Sequence, residues 1–227
     1  MAPKPRLTID LLVEEARSFC QNESRVLIPS LYGVTDGKAV GTFIEHNFQD
    51  RLSAKYECEV GSSANGIDLP SDALSTDIKV TSLKQPQSSC PFRNARQKIF
   101  GLGYNLLVFV YEKTDHRKRR AAQLNFVSCS FIHAHRTADY QTTKALRQMH
   151  EDHANAEEII AYLNDRNLPA DEITMAKLAE EILSSPPNQG YLTISNALQW
   201  RLQYSRVVEL AELVEGIVPI IRNPERQ

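Results

Sequence analysis

Nothing in the 227 residues approaches the roughly 18 consecutive apolar positions that a membrane span needs, and the opening MAPKPRLTIDLL has no uninterrupted apolar core of a secretory signal. The chain therefore reads as cytoplasmic, with no membrane partner. Cysteine is scarce and scattered: Cys20, Cys58, Cys90 and Cys129 form no CxxC pair, which argues against a structural zinc site and fits free thiols in a reducing compartment. Any metal must come from oxygen ligands. A Walker-type phosphate loop is missing, GLGYN (residues 101–105) lacks the strand-turn-helix context of a dinucleotide site, and there is no internal repeat or low-complexity segment.

What is present is a globular composition, 42% hydrophobic and 24% charged, on a chain long enough to bury a sizeable core. The net charge of −2 alone discourages a polyanion partner, but the charge is unevenly spread. Residues 79–120 hold ten Lys or Arg against Glu112 and Asp115, whereas residues 151–185 hold nine acids against Arg166 and Lys177. Such asymmetry suggests a polyanion at one face only, set against the plainer reading of two solvated surfaces.

The periodicity predicts helices over LTIDLLVEEARSFCQ (7–21) and KAVGTFIEHNFQDRL (38–52), the second with Val40, Phe43, Ile44, Phe48 and Leu52 inward and Glu45 at the border of that stripe. KYECEV (55–60) alternates as a strand, SSANG is a turn, and GIDLP and TDIKVTSL read as two arms of an irregular hairpin. KQPQSSCPF reads as a loop, FRNARQKIFGLG (92–103) as a helix, NLLVFVYEK (105–113) as a buried strand, TDHRKRR as a basic loop and AAQLNFVSCSFI (121–132) as a further strand. This order describes an α/β fold with a mixed central β-sheet flanked by helices over residues 1–136. From residue 137 the chain is expected to be helical to its end, as a second subdomain over 137–227 that closes on one long helix, ISNALQWRLQYSRVVELAELVE.

The stretch GIDLPSDALSTDIKV (66–80) carries the chemistry. On a strand, positions i and i+2 share a face, so Asp77 and Lys79 stand side by side while Thr76, Ile78 and Val80 face the other way. Asp68 precedes a short connection back to Asp77, so two carboxylates can converge at one end of the sheet, the oxygen-rich kind of site that a hard cation such as Mg²⁺ accepts. Without a cation two such acids repel or share a proton. Glu45, on the preceding helix, is placed to supply a third carboxylate. Asp72 in the connecting loop competes with Asp68 as the first ligand; Asp68 is favoured because it follows the Asn65-Gly66 turn and the apolar Ile67.

Glu45 on a helix, Asp68 before a turn and Asp77-Ile78-Lys79 on the next strand resemble the PD-(D/E)xK nuclease superfamily, and over residues 38–132 the surroundings resemble a type II restriction endonuclease. Ile67 stands where the pattern has proline. The resemblance implies Asp68 and Asp77 as Mg²⁺ ligands, Lys79 as the group that positions and polarises the attacking water, and Glu45 as accessory ligand or support. It implies hydrolysis of double-stranded DNA at a specific sequence to 5′-phosphate and 3′-hydroxyl ends by a homodimer, in the cytoplasm of a prokaryotic cell.

Cations for the DNA phosphates lie close by in sequence: Lys84, Arg93, Arg96 and Lys98 after the motif, and Arg117, Lys118, Arg119 and Arg120 at the next hairpin. The polar stretch carrying Gln85, Gln87 and Arg93 is the candidate for reading bases, and Gln97 matches a glutamine that some relatives carry on this helix. The C-terminal helices are expected to serve dimerisation, core support or DNA contact. A structure-selective or repair nuclease of the same fold, and a non-catalytic helix-turn-helix protein with TISNALQWRLQYSRV as recognition helix, are the competing readings.

Overall fold

The computed structural model describes residues 3–61, 66–90, 93–195, 200–210 and 212–222. In chain order the elements are α1 (Ile9–Glu23), β1 (Leu27–Ile28), α2 (Gly37–Lys55), β2 (Thr76–Ser82), β3 (Gln87–Cys90), α3 (Arg96–Phe100), β4 (Asn105–His116), β5 (Ala121–Ile132), α4 (Tyr140–Glu151), α5 (Ala156–Asp165), α6 (Glu172–Ser184), β6 (Thr193–Ile194), β7 (Trp200–Gln203), α7 (Ser205–Val208) and β8 (Ile217–Ile221). They form two compact units, one of Met1–Pro86, Asn105–Ile132 and Val208–Gln227, the other of Gln87–Tyr104 and His133–Val207. The units interleave along the chain and do not meet at a single boundary near residue 136.

The first unit holds a mixed sheet in the order β1-β5-β4-β2, with β8 also paired to β5. β2 runs parallel to β4, with Asp77 beside Leu106 and Lys79 beside Val108, and the remaining pairings are antiparallel. The expected α/β class with a helix-flanked mixed sheet is what forms. Thr8 caps α1 by accepting from Leu11 N–H, and Asp36 caps α2 by accepting from Lys38 N–H at 2.9 Å. Both helices lay an apolar stripe on the sheet. Phe19 of α1, Phe48 of α2, and Phe109 and Phe126 of β4 and β5 meet edge to face with centroids 5.1–5.9 Å apart. Gly41 of α2 sits 3.8 Å, measured from where a Cβ would stand, from Val80 of β2. That close approach brings the following turns of α2 against the edge of the sheet.

In the second unit α4, α5 and α6 each begin with a side-chain cap, Asp139, Asn155 and Asp171, and bury Leu146, Ile159, Leu163, Met175, Leu178 and Ile182 in a core of their own. Asn155 and Glu158 form a reciprocal capping box. A small antiparallel sheet, in the order β3-β7-β6, completes the unit.

Four local expectations fail. KYECEV forms no strand, and only Glu57 bridges, to Arg6. KQPQSSCPF is not all loop, because β3 lies within it and pairs with β7. The helix expected over 92–103 shrinks to the five residues of α3. Over the described residues of the expected final helix, and of the helix-turn-helix recognition helix within it, β7 and the four-residue α7 form instead, with β8 following; residues 196–199 and 211 of that stretch lie outside the described residues. Leu202 is buried between Arg201 and Gln203, both exposed, so the local period is 2; the ladder to β3 and β6 overrides a sequence that also fits a helix. Residues 62–65 of the SSANG turn lie outside the described residues.

Candidate active site

Among the described residues β2 is an edge strand of its sheet, so one side of its backbone is not taken up by β4. The chain itself covers that side. Residues 66–69 return along it, with Leu69 N–H donating to Thr76 O at 2.9 Å and Thr76 N–H to Leu69 O at 3.0 Å. Asp68 then reaches the next open position, and Ile78 N–H donates to its Oδ2 at 2.7 Å. Its other oxygen accepts from the Gln49 amide at 3.2 Å. Asp68 is thus held between the edge of the sheet and helix α2.

Two backbone devices support this placement. Gly61 N–H donates to Asp68 O at 2.7 Å, and a Cβ on Gly61 would stand 2.2 Å from Ile67 O, so only glycine allows the two segments this close. The turn that leads back to β2 carries Ser75 at φ +35°, unusual for a residue with a side chain. It is held by Asn105, whose N–H donates to Ser75 O at 2.7 Å and whose amide donates to Leu74 O at 2.8 Å.

On β2, Asp77 is buried and Lys79 largely so, and the Lys79 ammonium pairs with Asp77 Oδ2 at 2.6 Å. Glu45 stands one turn before Gln49 on the same face of α2. Burial and the neighbouring Asp68 carboxylate push the Glu45 carboxyl up to about 7, with Lys79 opposing. Burial also raises Asp77 to about 7, assisted by Asp68 and opposed by Lys79. The structure therefore gathers Glu45, Asp68, Asp77 and Lys79 into one electrostatically coupled group. Asp72, by contrast, lies exposed in the turn between Asp68 and Asp77. Gln49, Asn105 and Gly61 were not singled out from sequence. The spacing of Gln49 four residues after Glu45 is the signal that could have found it.

No group of three or more His, Cys, Asp or Glu among the described residues is placed to hold a metal ion together. The donor set nonetheless fits a hard cation. Mg²⁺ is ordinarily held by one or two carboxylates, with water and substrate phosphate completing its shell. Burial first, and repulsion from Asp68 second, raise the Glu45 and Asp77 carboxyls despite the Lys79 ammonium, and a bound cation would offset both.

The cations and amides expected to hold DNA fall into three groups. Lys84 and Gln85 are exposed after β2, and Arg117, Lys118 and Arg119 are exposed at the β4–β5 turn. Arg117 lies nine residue steps beyond Val108, the register partner of Lys79, which is roughly 30 Å along the sheet. In the second unit Arg93 is exposed and Gln87 half-buried on β3. Arg96 forms a fork on Glu181 of α6, at 3.0 Å from Nε and 2.5 Å from Nη2, and lies over Phe100. Part of the acidic excess of residues 151–185 is thus spent on this arginine. Gln97 is buried, its amide donating to Leu102 O at 3.1 Å and its oxygen accepting from Arg93 N–H at 3.2 Å, so its side chain is occupied inside the unit.

No solved structure matches the chain. Residues 6–219 match the family model described as type II restriction enzyme NspV. A curated relative of that name from a Nostoc species is 54% identical over 217 residues, covering 96% of this chain and 98% of its own. Nearly the whole chain, the gathered acids and lysine included, is thus spanned by both likenesses, and the protein belongs to the NspV family of type II restriction enzymes.

Proposed function

We propose that this restriction enzyme, a site-specific deoxyribonuclease, hydrolyses double-stranded DNA with Mg²⁺ through a PD-(D/E)xK-type centre made of Asp68, Asp77, Lys79 and Glu45. The observation that carries the reading is the convergence of three acids and one lysine on the edge strand, with Asp68 fixed by Ile78 N–H and Gln49. Asp68 and Asp77 would hold the cation, which when bound supplies charge neutralisation at the scissile phosphate and acidifies water. Lys79 orients the attacking water toward phosphorus and offsets negative charge as it develops. Glu45 supports the centre from α2 by holding a proton or a further water.

Lys84, Gln85, Arg117, Lys118 and Arg119 are exposed and suited to phosphate contacts. Cutting two antiparallel strands with one centre per chain calls for a homodimer, whose two-fold axis matches a palindromic site. The products would carry 5′-phosphate and 3′-hydroxyl ends, and the enzyme would act in the cytoplasm of a prokaryotic cell. The test is incubation of the purified chain with unmethylated plasmid of known sequence, with Mg²⁺ or with chelator, followed by sequencing of fragment ends. Discrete fragments with those termini in Mg²⁺ alone are expected. Intact plasmid in both, or equal cutting in chelator, would overturn the proposal.

A further inference from the structure

The small sheet of the second unit has two unlike faces. Underneath, Ile194, Leu202 and Tyr204 are buried, and the Tyr204 hydroxyl bonds Ser88 Oγ at 2.5 Å. On the outer face the register sets Gln87, Gln203 and Thr193 side by side in one row. The next row sets Ser89 opposite Arg201, with Ser195 continuing the ladder: Ser195 N–H donates to Arg201 O at 3.2 Å and Arg201 N–H to Ser195 Oγ at 3.1 Å. Ser89, Arg201, Gln203 and Thr193 are exposed. The two rows together offer two amides, a guanidinium and three hydroxyls, without one carboxylate or large apolar side chain.

That composition is unusual for a merely solvated face, where acids and lysines are interspersed. It is the set that reads base edges: guanidinium to guanine, carboxamide to adenine, hydroxyls to either. Its opposite side is packed by Ile194, Leu202 and Tyr204, and Ser195 is hydrogen-bonded to the backbone of Arg201. A narrow β-ribbon fits the DNA major groove. Rows two residues apart on a strand are spaced by about 6.7 Å, close to two base-pair steps of 3.4 Å.

We propose that the outer face of the β3-β7-β6 sheet is the surface that reads the recognition sequence from the major groove, with Arg201 on a guanine and Gln203 on an adenine two steps away. The proposal rests on the DNA-cleaving reading of the first unit and adds to it the residues that choose where cleavage falls. It also gives Arg201 and Gln203 a role that does not need the helix expected for them from sequence.

The test separates reading from cutting. Full-length protein carrying Asp77→Asn, which leaves the small sheet untouched, is given a pool of duplexes with randomised centres, and the bound fraction is sequenced. The parent is expected to select one motif. Adding Arg201→Ala should reduce preference at one guanine by roughly 10- to 100-fold, and adding Gln203→Ala should do the same at one adenine two positions away. Arg201→Lys keeps the charge and loses the fork, so overall binding should hold while preference at that guanine falls. Thermal midpoints within about 2 °C of the parent would show that the exposed substitutions leave the fold intact. The same motif from all proteins, or no motif from the parent, overturns the proposal. A motif that persists in a wild-type chain that cuts nothing would overturn the catalytic reading and leave this one standing.

Discussion

Helix α2 meets a lone acid and a group of acids that are built in opposite ways. Toward its C-terminal end, Glu15 of α1 accepts from Arg51 at 2.8 Å, from Lys55 at 2.8 and 2.9 Å and from the Tyr56 hydroxyl at 3.0 Å. Burial pushes the Glu15 carboxyl up, but the bonds from Lys55, Arg51 and Tyr56 outweigh it and hold the group below its ordinary value. Earlier on the same helix, Glu45 joins Asp68 and Asp77 around the Lys79 ammonium, and there burial and mutual repulsion win. An acid surrounded by donors ties two helices together. A group of acids with too few donors raises the free energy of the folded protein, and such a group persists where a cation or substrate completes it.

The largest effect that tests this contrast is on cleavage. Asp77→Asn should lower the rate on the order of 1,000-fold, because the substitution keeps the shape and removes the charge the centre needs. Glu15→Gln should leave the rate within about twofold at a temperature where both proteins are folded. Single-turnover cleavage of a plasmid reads both, and an Asp77→Asn rate within tenfold of wild type would break the distinction. Next comes Gln49→Ala. Loss of its bond to Asp68 should raise the Mg²⁺ concentration for half-maximal cleavage roughly tenfold, as for other residues that orient a ligand. Saturating Mg²⁺ should recover most of the rate, and Mg²⁺ titration followed by calorimetry should show the same weakening without DNA. A rate that stays low at saturation would mean that Gln49 does more than orient Asp68.

Stability against pH should separate the two by sign. Glu15 has a lowered folded value, so its contribution is present above its ordinary value of 4.5 and is lost as pH falls through the folded one. Glu45 and Asp77 have raised folded values. The folded protein binds more protons than the unfolded chain between the ordinary carboxylate range and about 7, so stability falls as pH rises through that window. Metal-free protein should therefore melt lower at pH 8 than at pH 6 through these groups, and Mg²⁺ should narrow the gap. Glu15→Gln should lower the melting temperature at both pH values by roughly 5 °C, for a loss of about 2 kcal/mol of charge-assisted bonds. Equal melting at the two pH values without metal would show that the raised acids are not titrating as the geometry requires.

The two units also differ in how far sequence alone revealed them. The strand of Asp77 and Lys79 was legible because an acid and a lysine two residues apart in an apolar run are costly to bury, and a costly pair points to a site. Long β-branched and aromatic runs made β4 and β5 equally plain. Glu45 could be placed because a 19-residue helix keeps its period over several turns. Gln49 could not be singled out, since an amide on a helix border carries no signature until its partner is known. The second unit shows the opposite case. QWRLQYSRVV satisfies a helical stripe and a strand alternation equally, and the choice is made by β3, more than 100 residues earlier in the chain. Strands of two to four residues owe their existence to their neighbours, so local pattern could not announce them.

The smallest expected effect falls on the acid that competes with Asp68. Asp72 shares its loop and charge, yet it points from an exposed turn while Asp68 is anchored to the sheet by Ile78 N–H. Geometry alone ranks them, since at equal charge the acid already held beside Asp77 loses less conformational freedom on taking up a cation. Asp72→Asn should then leave the rate, the Mg²⁺ dependence and the melting temperature unchanged within about twofold and 1 °C, as for an ordinary surface substitution, whereas Asp68→Asn should reproduce the loss seen with Asp77→Asn. If Asp72→Asn were the inactive variant, the loop would have to rearrange on binding DNA, and the bond from Ile78 N–H would mark a resting state that the substrate displaces.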